Sequence, residues 1–239
     1  MTDLAERYIF VRSMEKRNFK FRSASNTYMR TFLFYAICGG ALLGLTVSAK
    51  NEGVGFGAAK VGEAAPNFTL TGGDGKEHSL ADYKGKFVVL EWTNPQCPFV
   101  HKFYDSNAMQ KLQKEETAKG VVWLRINSSA EGKEGYQTPM DIAAYEETHH
   151  VASTASLLDP EGKVGHMYGA RSTPHMFVID ARGVLVYAGG IDNKPSPNPE
   201  DIASAKNYVT SALDEAMAGK PVSVPTARPY GCSVKYAGN

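Results

Sequence analysis

The chain of 239 residues carries 26 Lys and Arg against 25 Asp and Glu, and its formal net charge of +1 removes the electrostatic case for a nucleic-acid partner. A hydrophobic content of 43% suffices for one packed domain with chain to spare. The cysteines Cys38, Cys97 and Cys232 are too few for a disulfide-stapled scaffold, and without a CxxC pair a structural zinc knuckle has no basis.

Residues 1–30 hold seven Lys or Arg against three acids, followed by the uncharged run TFLFYAICGGALLGLTVSA over 31–49. A basic flank, an apolar run and a small-residue end form an export pattern. The run is either cleaved as a signal peptide, with Met1 or Met14 as the true start, or kept as a membrane anchor, since about 19 residues barely span a bilayer. Either way the following domain is expected outside the cytoplasm, in the periplasm or an equivalent space, where disulfides persist. Cys38 reads as apolar filler, because Ile37 precedes it where a lipidation signal needs a small residue.

Residues 50–62 are Gly-rich and read as a linker to a domain over 63–220. Strands are expected at 68–70, 87–92, 121–126 and 154–158, the middle two from apolar, β-branched runs. A helical turn is expected at 79–83. One helix opens at Pro98 and runs past Leu112, and another follows the Thr138-Pro139 cap to about Glu147. A short helix at 164–168 precedes a hairpin of 175–179 and 184–188 around Asp180-Ala181-Arg182-Gly183. Asn198-Pro199 is expected to cap a last helix over 202–218, leaving a tail, 221–239, that carries Cys232. Alternating strands and helices followed by a hairpin predict an α/β fold with a central mixed sheet and helices on both faces.

Cys97 falls between a buried strand and a helix start, where backbone N–H groups and the positive helix end stabilise a thiolate. Thr93, Asn94 and Gln96 offer hydroxyl and amide groups for an oxygen-bearing substrate. His101, one turn on, either faces Cys97 or sits at the surface. His78, His149, His150 and His166 read as solvated, and no phosphate loop or Ser/His/Asp signature is legible. No cofactor and no bound metal are therefore expected.

The stretches GEAAPNFTL, DGKEHSLADYKGKFVVLEW and NPQCP resemble the redoxins that include alkyl hydroperoxide reductases and thiol-specific antioxidants, and RSTPHMFVID resembles the cis-proline segment of thioredoxin folds. The resemblance spans about 61–219. It extends to a bacterial peroxiredoxin-like subgroup through the ending PYGCSVKY. It implies a thioredoxin-like fold, Cys97 as the redox-active cysteine, Pro174 as the cis-proline and Pro95 as the proline two residues before the cysteine. It also implies an antioxidant or thiol oxidoreductase acting on a small peroxide or a protein disulfide, recharged by a thiol reductant such as a thioredoxin-like protein, and it allows a homodimer. Departures are visible. The family's Thr three residues before the cysteine is Asn94 here, with Thr93 one earlier. The family's arginine aligns at about Pro174, with Arg171 three residues off, and a thioredoxin's second cysteine is replaced by Val100.

Cys232 is the natural partner for Cys97 once the leader is removed. As a resolving cysteine it would close a disulfide on an oxidised Cys97. A static bridge and two independent thiols stand as alternatives. Two other functions stay open: a Cu(I) handler using Cys97 with His101, His175 or Cys232, although Thr93 breaks the CxxxC pattern, and a binding domain with a degenerate site.

Overall fold

The structure, a computed structural model, describes residues 58–238. The 31–49 run, Cys38 and most of the expected linker lie outside the described residues. The linker's described end, 58–62, is held by Ala59 N–H donating to Met167 O (3.0 Å) and Gly62 N–H to Leu185 O (2.8 Å).

The elements in chain order are β1 (Thr69–Gly72), β2 (Glu77–Ser79), a 3-10 turn (Leu80–Tyr83), β3 (Val88–Trp92), α1 (Pro98–Tyr104), α2 (Ala108–Ala118) and β4 (Val122–Asn127). There follow α3 (Pro139–His149), β5 (Ala155–Leu158), α4 (Lys163–Tyr168), β6 (Ser172–Thr173), β7 (His175–Ile179) and β8 (Leu185–Gly189). A 3-10 turn (Pro199–Ser204), α5 (Tyr208–Met217) and β9 (Cys232–Ser233) complete the chain. Seven strands form one sheet in the order β2-β1-β5-β4-β3-β7-β8, and β6 pairs with β9 in a second, two-stranded sheet. The centre β5-β4-β3 is parallel and both flanks are antiparallel. This is the expected mixed sheet in a thioredoxin-like arrangement.

The central strands are buried along their whole length because both sheet faces are covered. Val89, Trp123, Met176 and Val178 meet Val100 and Phe103 of α1, Met109 and Leu112 of α2 and Val209 and Leu213 of α5 on one face. Leu90, Trp92, Leu124, Ile126 and Phe177 meet Val164 and Tyr168 of α4 on the other.

Two expected helices are interrupted. The helix opening at Pro98 stops at Tyr104 because Asn107 takes a left-handed conformation (φ 61°) and Ser106 Oγ–H donates back to Lys102 O at 2.7 Å. Gln110 Nε2–H then donates to the freed Tyr104 carbonyl at 2.9 Å. Near the C-terminus Asn198 caps only a 3-10 turn, accepting from Glu200 N–H. A fresh cap at Asn207 accepts from Thr210 N–H at 3.0 Å and starts α5. The break is pinned tertiarily by Tyr208 N–H to Ile191 O (2.9 Å) and Lys206 N–H to Asn193 Oδ1 (2.8 Å), bonds that periodicity does not register. Strand β2, a short partner of β1, has no counterpart in the sequence reading.

One buried charge organises the α1–α2 face. Glu91 of β3 accepts from Trp123 Nε1–H (2.7 Å), Tyr104 O–H (2.8 Å) and Gln113 Nε2–H (3.2 Å). It stands opposite Arg125 in the parallel register. Arg125 donates from Nη1 to Ser156 Oγ at 2.9 Å. Its guanidinium lies 5.1 and 5.0 Å from the ring centroids of Tyr104 and Tyr145, cation–π contacts in place of hydrogen bonds at Nε and Nη2. Removing the Glu91 carboxylate strands the buried Trp123 and Tyr104 donors, at about 1–3 kcal/mol each. Glu91→Ala is therefore expected to lower unfolding stability by about 2–6 kcal/mol in a urea titration; a loss below about 1 kcal/mol would show that neither donor depends on it.

Candidate functional site

The segment Thr93–Cys97 leaves β3 still tied to the sheet, with Thr93 N–H donating to Ile126 O at 2.9 Å. Asn94 then makes the turn: its Oδ1 accepts from Gln96 N–H (2.8 Å), and its carbonyl accepts from Cys97 N–H (3.2 Å). The Asn94 amide donates outward to Ser129 Oγ (3.3 Å) and Glu134 O (3.1 Å), clamping the loop after β4. Asn94 thus shapes the turn with both ends of its side-chain amide. Thr93 differs. It is buried, and its hydroxyl lacks a hydrogen-bond partner. Pro95 is half-buried within the turn.

Cys97 is the N-cap of α1, and its carbonyl accepts from the N–H groups of Val100 and His101 at 2.9 Å each. Its side chain has no exposed surface. The thiol donates to the Thr173 carbonyl at 3.0 Å, 76 residues away. Thr173 precedes Pro174, and the bond between them is cis, as the sequence reading expected. Val100 is core, so nothing replaces a second cysteine on α1.

The second thiol comes from the tail. Cys232 pairs directly across from Thr173 in the antiparallel β6–β9 ladder, and Val234 N–H donates to Arg171 O at 3.2 Å. Gly231 (φ 131°) lies so close to Thr173 that a Cβ there would overlap the Thr173 carbonyl oxygen, the acceptor of the Cys97 thiol. Both cysteines are free thiols, Cys97 buried and Cys232 half-buried. Burial first, then the hydrogen bond and charge of Cys97, push the Cys232 thiol up to about 12. The tail is fastened on both sides of Cys232. Upstream, Tyr230 O–H donates to Asp192 Oδ1 at 2.6 Å. Downstream, Ala130 N–H donates to Lys235 O (2.9 Å), Tyr236 O–H to Ala170 O (2.8 Å), and the Tyr236 ring stacks on His166 at 4.0 Å.

His101 turns to the Asp105 carboxylate at 3.2 Å and is substantially exposed. Arg171 is exposed at the start of the cis-proline segment. Among the described residues, no group of three or more His, Cys, Asp or Glu side chains is placed to hold a metal ion. His175 packs on Phe177 (4.4 Å between centroids), on the sheet face opposite the one Cys97 joins. His101 and His175 are therefore not gathered with the two thiols. Lys102, Asp192 and Tyr230, joined upstream of Cys232, are not legible in the sequence, because the burial of a lysine is decided by distant partners and carries no local signal.

The family model for AhpC/TSA matches residues 61–188. The chain belongs to the AhpC/TSA family. Within that family frame, it is 29% identical over 159 residues to the thioredoxin-like protein YneN of Bacillus subtilis, covering 66% of this chain and 85% of that one. It is 28% identical over 162 residues to the thiol-disulfide oxidoreductase ResA of Geobacillus thermodenitrificans, covering 65% and 82%. A crystal structure of an uncharacterized conserved protein from Geobacillus kaustophilus superposes with a TM-score of 0.63 at 28% identity, covering 75% of this chain and 94% of that one. A hypothetical protein from Sinorhizobium meliloti shares the fold, with a TM-score of 0.66 at 23% identity over 77% and 98% of the two chains. This AhpC/TSA member is a thiol oxidoreductase of thioredoxin-like fold, as the sequence predicts.

His175 supplies a pH signature for this region. Burial, reinforced by the Arg171 charge, lowers it to about 3, and its Nδ1 accepts from Arg171 N–H at 3.3 Å, which requires the neutral ring. The unfolded chain takes up the proton first as pH falls, so stability is intact above about 6.5 and is lost between 6.5 and about 3. Compared with His175→Asn, the natural protein is expected to lose up to about 4 kcal/mol over that window in urea titrations. A difference that does not vary with pH would refute the assignment.

Proposed function

We propose that the protein catalyses thiol–disulfide exchange, cycling between a Cys97/Cys232 dithiol and a Cys97–Cys232 disulfide. The observation that carries this reading is the β6–β9 ladder, which sets Cys232 opposite the Thr173 whose carbonyl binds the Cys97 thiol. In the forward step the Cys97 thiolate attacks a protein disulfide, one substrate sulfur leaves as a thiol, and a mixed disulfide forms on Cys97. Cys232 then gives up its proton and attacks the Cys97 sulfur. This expels the second substrate sulfur as a thiol and closes the intramolecular disulfide. Two electrons have passed to the substrate, and an external thiol reductant, such as a thioredoxin-like protein, returns them.

The electrostatics support this order. While Cys97 is a thiolate, its charge and hydrogen bond help keep Cys232 protonated; once Cys97 is held in a mixed disulfide both causes vanish and Cys232 becomes easier to ionise. Cys232, the thiol with exposed surface, is the entry point for the reductant, and Cys97, which has none, meets a protein disulfide only in an opened form of the site. No second subunit is needed, because both thiols lie in one chain. The reading includes export by the 31–49 segment, cleaved or retained as an anchor, to a compartment where disulfide substrates persist.

A second reading, peroxide reduction, rests on the buried, unpartnered hydroxyls of Thr93 and Thr173 and on the complete burial of Cys97, which suit a small oxidant. Cys97 would take one peroxide oxygen as a sulfenic acid, releasing water or an alcohol, and Cys232 would close the same disulfide with loss of water. The exposed position of Arg171 ranks it below exchange.

The test is peptide mass mapping of the full chain after oxidised glutathione or peroxide. A Cys97–Cys232 linked peptide that mild reductant opens is expected. Cys232→Ser is expected to accumulate glutathione on Cys97, and Cys97→Ser to reduce exchange to the background rate. If peroxide makes the link orders of magnitude faster than the disulfide does, the second reading prevails. Absence of the link under both oxidants would dismiss Cys232 as partner.

A further inference from the structure

We propose that Lys102, Asp192 and Tyr230 form a positioning cluster that sets the encounter of Cys232 with Cys97; the inference rests on the reading of those cysteines as an exchanging pair. Lys102 lies on α1, the helix that Cys97 caps, yet its side chain has 0% exposure and the Asp192 carboxylate facing it has 2%. The Lys102 ammonium donates to Lys194 O at 3.1 Å and stands 3.7 Å from Asp192 Oδ2. Asp192 Oδ1 accepts from Tyr230 O–H (2.6 Å) and Lys194 N–H (2.8 Å). The Tyr230 ring is held edge-on by Phe99 of the same helix at 5.9 Å, with the Lys102 ammonium 5.8 Å from its centroid.

A closed mechanical path results. It runs from α1 through Lys102 and Asp192 to Tyr230, passes Gly231 pressed on Thr173, and reaches Cys232 beside the residue that begins α1. Burying an ammonium and a carboxylate is a poor route to stability, since apolar side chains of like volume often serve as well. A buried ion pair with a hydrogen-bonded phenol does something apolar packing does not, which is to accept a single register of the tail. A slip of the tail by one residue would remove Tyr230 from Asp192 and leave a buried charge short of a partner. Tyr230 acts through the backbone on Cys232 and touches no reacting atom, so its role is positional.

The test uses the full chain equilibrated in reduced and oxidised glutathione, with acid-quenched alkylation and peptide mass analysis giving the effective molarity of the Cys97–Cys232 pair. Tyr230→Phe keeps the ring and removes the hydroxyl. It is expected to lower that effective molarity about ten-fold, the scale of one hydrogen bond to a charged group. Lys102→Met, which keeps the stem and removes the charge, is expected to act in the same direction and carries the test if Tyr230→Phe does not fold. A purely structural role would destabilise the dithiol and disulfide forms equally and leave the effective molarity unchanged. A natural protein that forms the link while both variants stay within two-fold of it would overturn the cluster's role and leave the exchanging pair standing. A natural protein that forms no link would overturn the pair itself, and the cluster's role with it.

Discussion

The Thr173 carbonyl oxygen is the point on which the site depends. It accepts the thiol of Cys97 and packs against the backbone of Gly231, one residue from Cys232. Three segments far apart in sequence therefore converge on one backbone group: the turn after β3, the cis-proline segment and the tail. A buried carbonyl needs a donor. The Cys97 thiol is a weak donor that is lost when the sulfur is ionised or oxidised, so this hydrogen bond belongs to the protonated thiol alone. The surrounding order, from the Asn94 turn to the β6–β9 ladder, keeps the segments in place around it.

Around that point the protein spends buried polarity in two places that both involve α1. Glu91 gathers Tyr104, Trp123 and Gln113. Lys102 and Asp192 gather Tyr230. Each arrangement costs desolvation and returns specificity, because a charge with several directed donors accepts few geometries. The first fixes α1 on the sheet, and hence the height of Cys97; the second fixes the tail on α1.

Much of this was legible along the chain. The runs FVVLEW and VVWLRI announce buried strands, Cys97-Pro98 announces a helix start, and the resemblance of RSTPHMFVID placed the cis-proline correctly. The misreadings share one physical cause. Asn107 and Asn207 interrupt helices whose apolar spacing continues, because an asparagine that takes a left-handed conformation or caps a new turn outweighs periodicity when tertiary bonds support it. The Asn94 amide is bonded to Ser129 and Glu134 from a loop some 35 residues on, partners that no local pattern reveals.

By itself, the sequence determined the fold class, the placement of Cys97 at a strand-to-helix junction and the presence of a second thiol near the end of the chain, because hydrophobic period, proline position and cysteine count are local or additive properties. Only the tertiary structure decided that Cys232 faces Thr173, that His101 turns to Asp105, that Arg171 stays exposed, and that a lysine on the Cys97 helix is buried against Asp192. Those outcomes depend on which distant groups satisfy one another once water is excluded, and that balance exists only when the whole chain is packed.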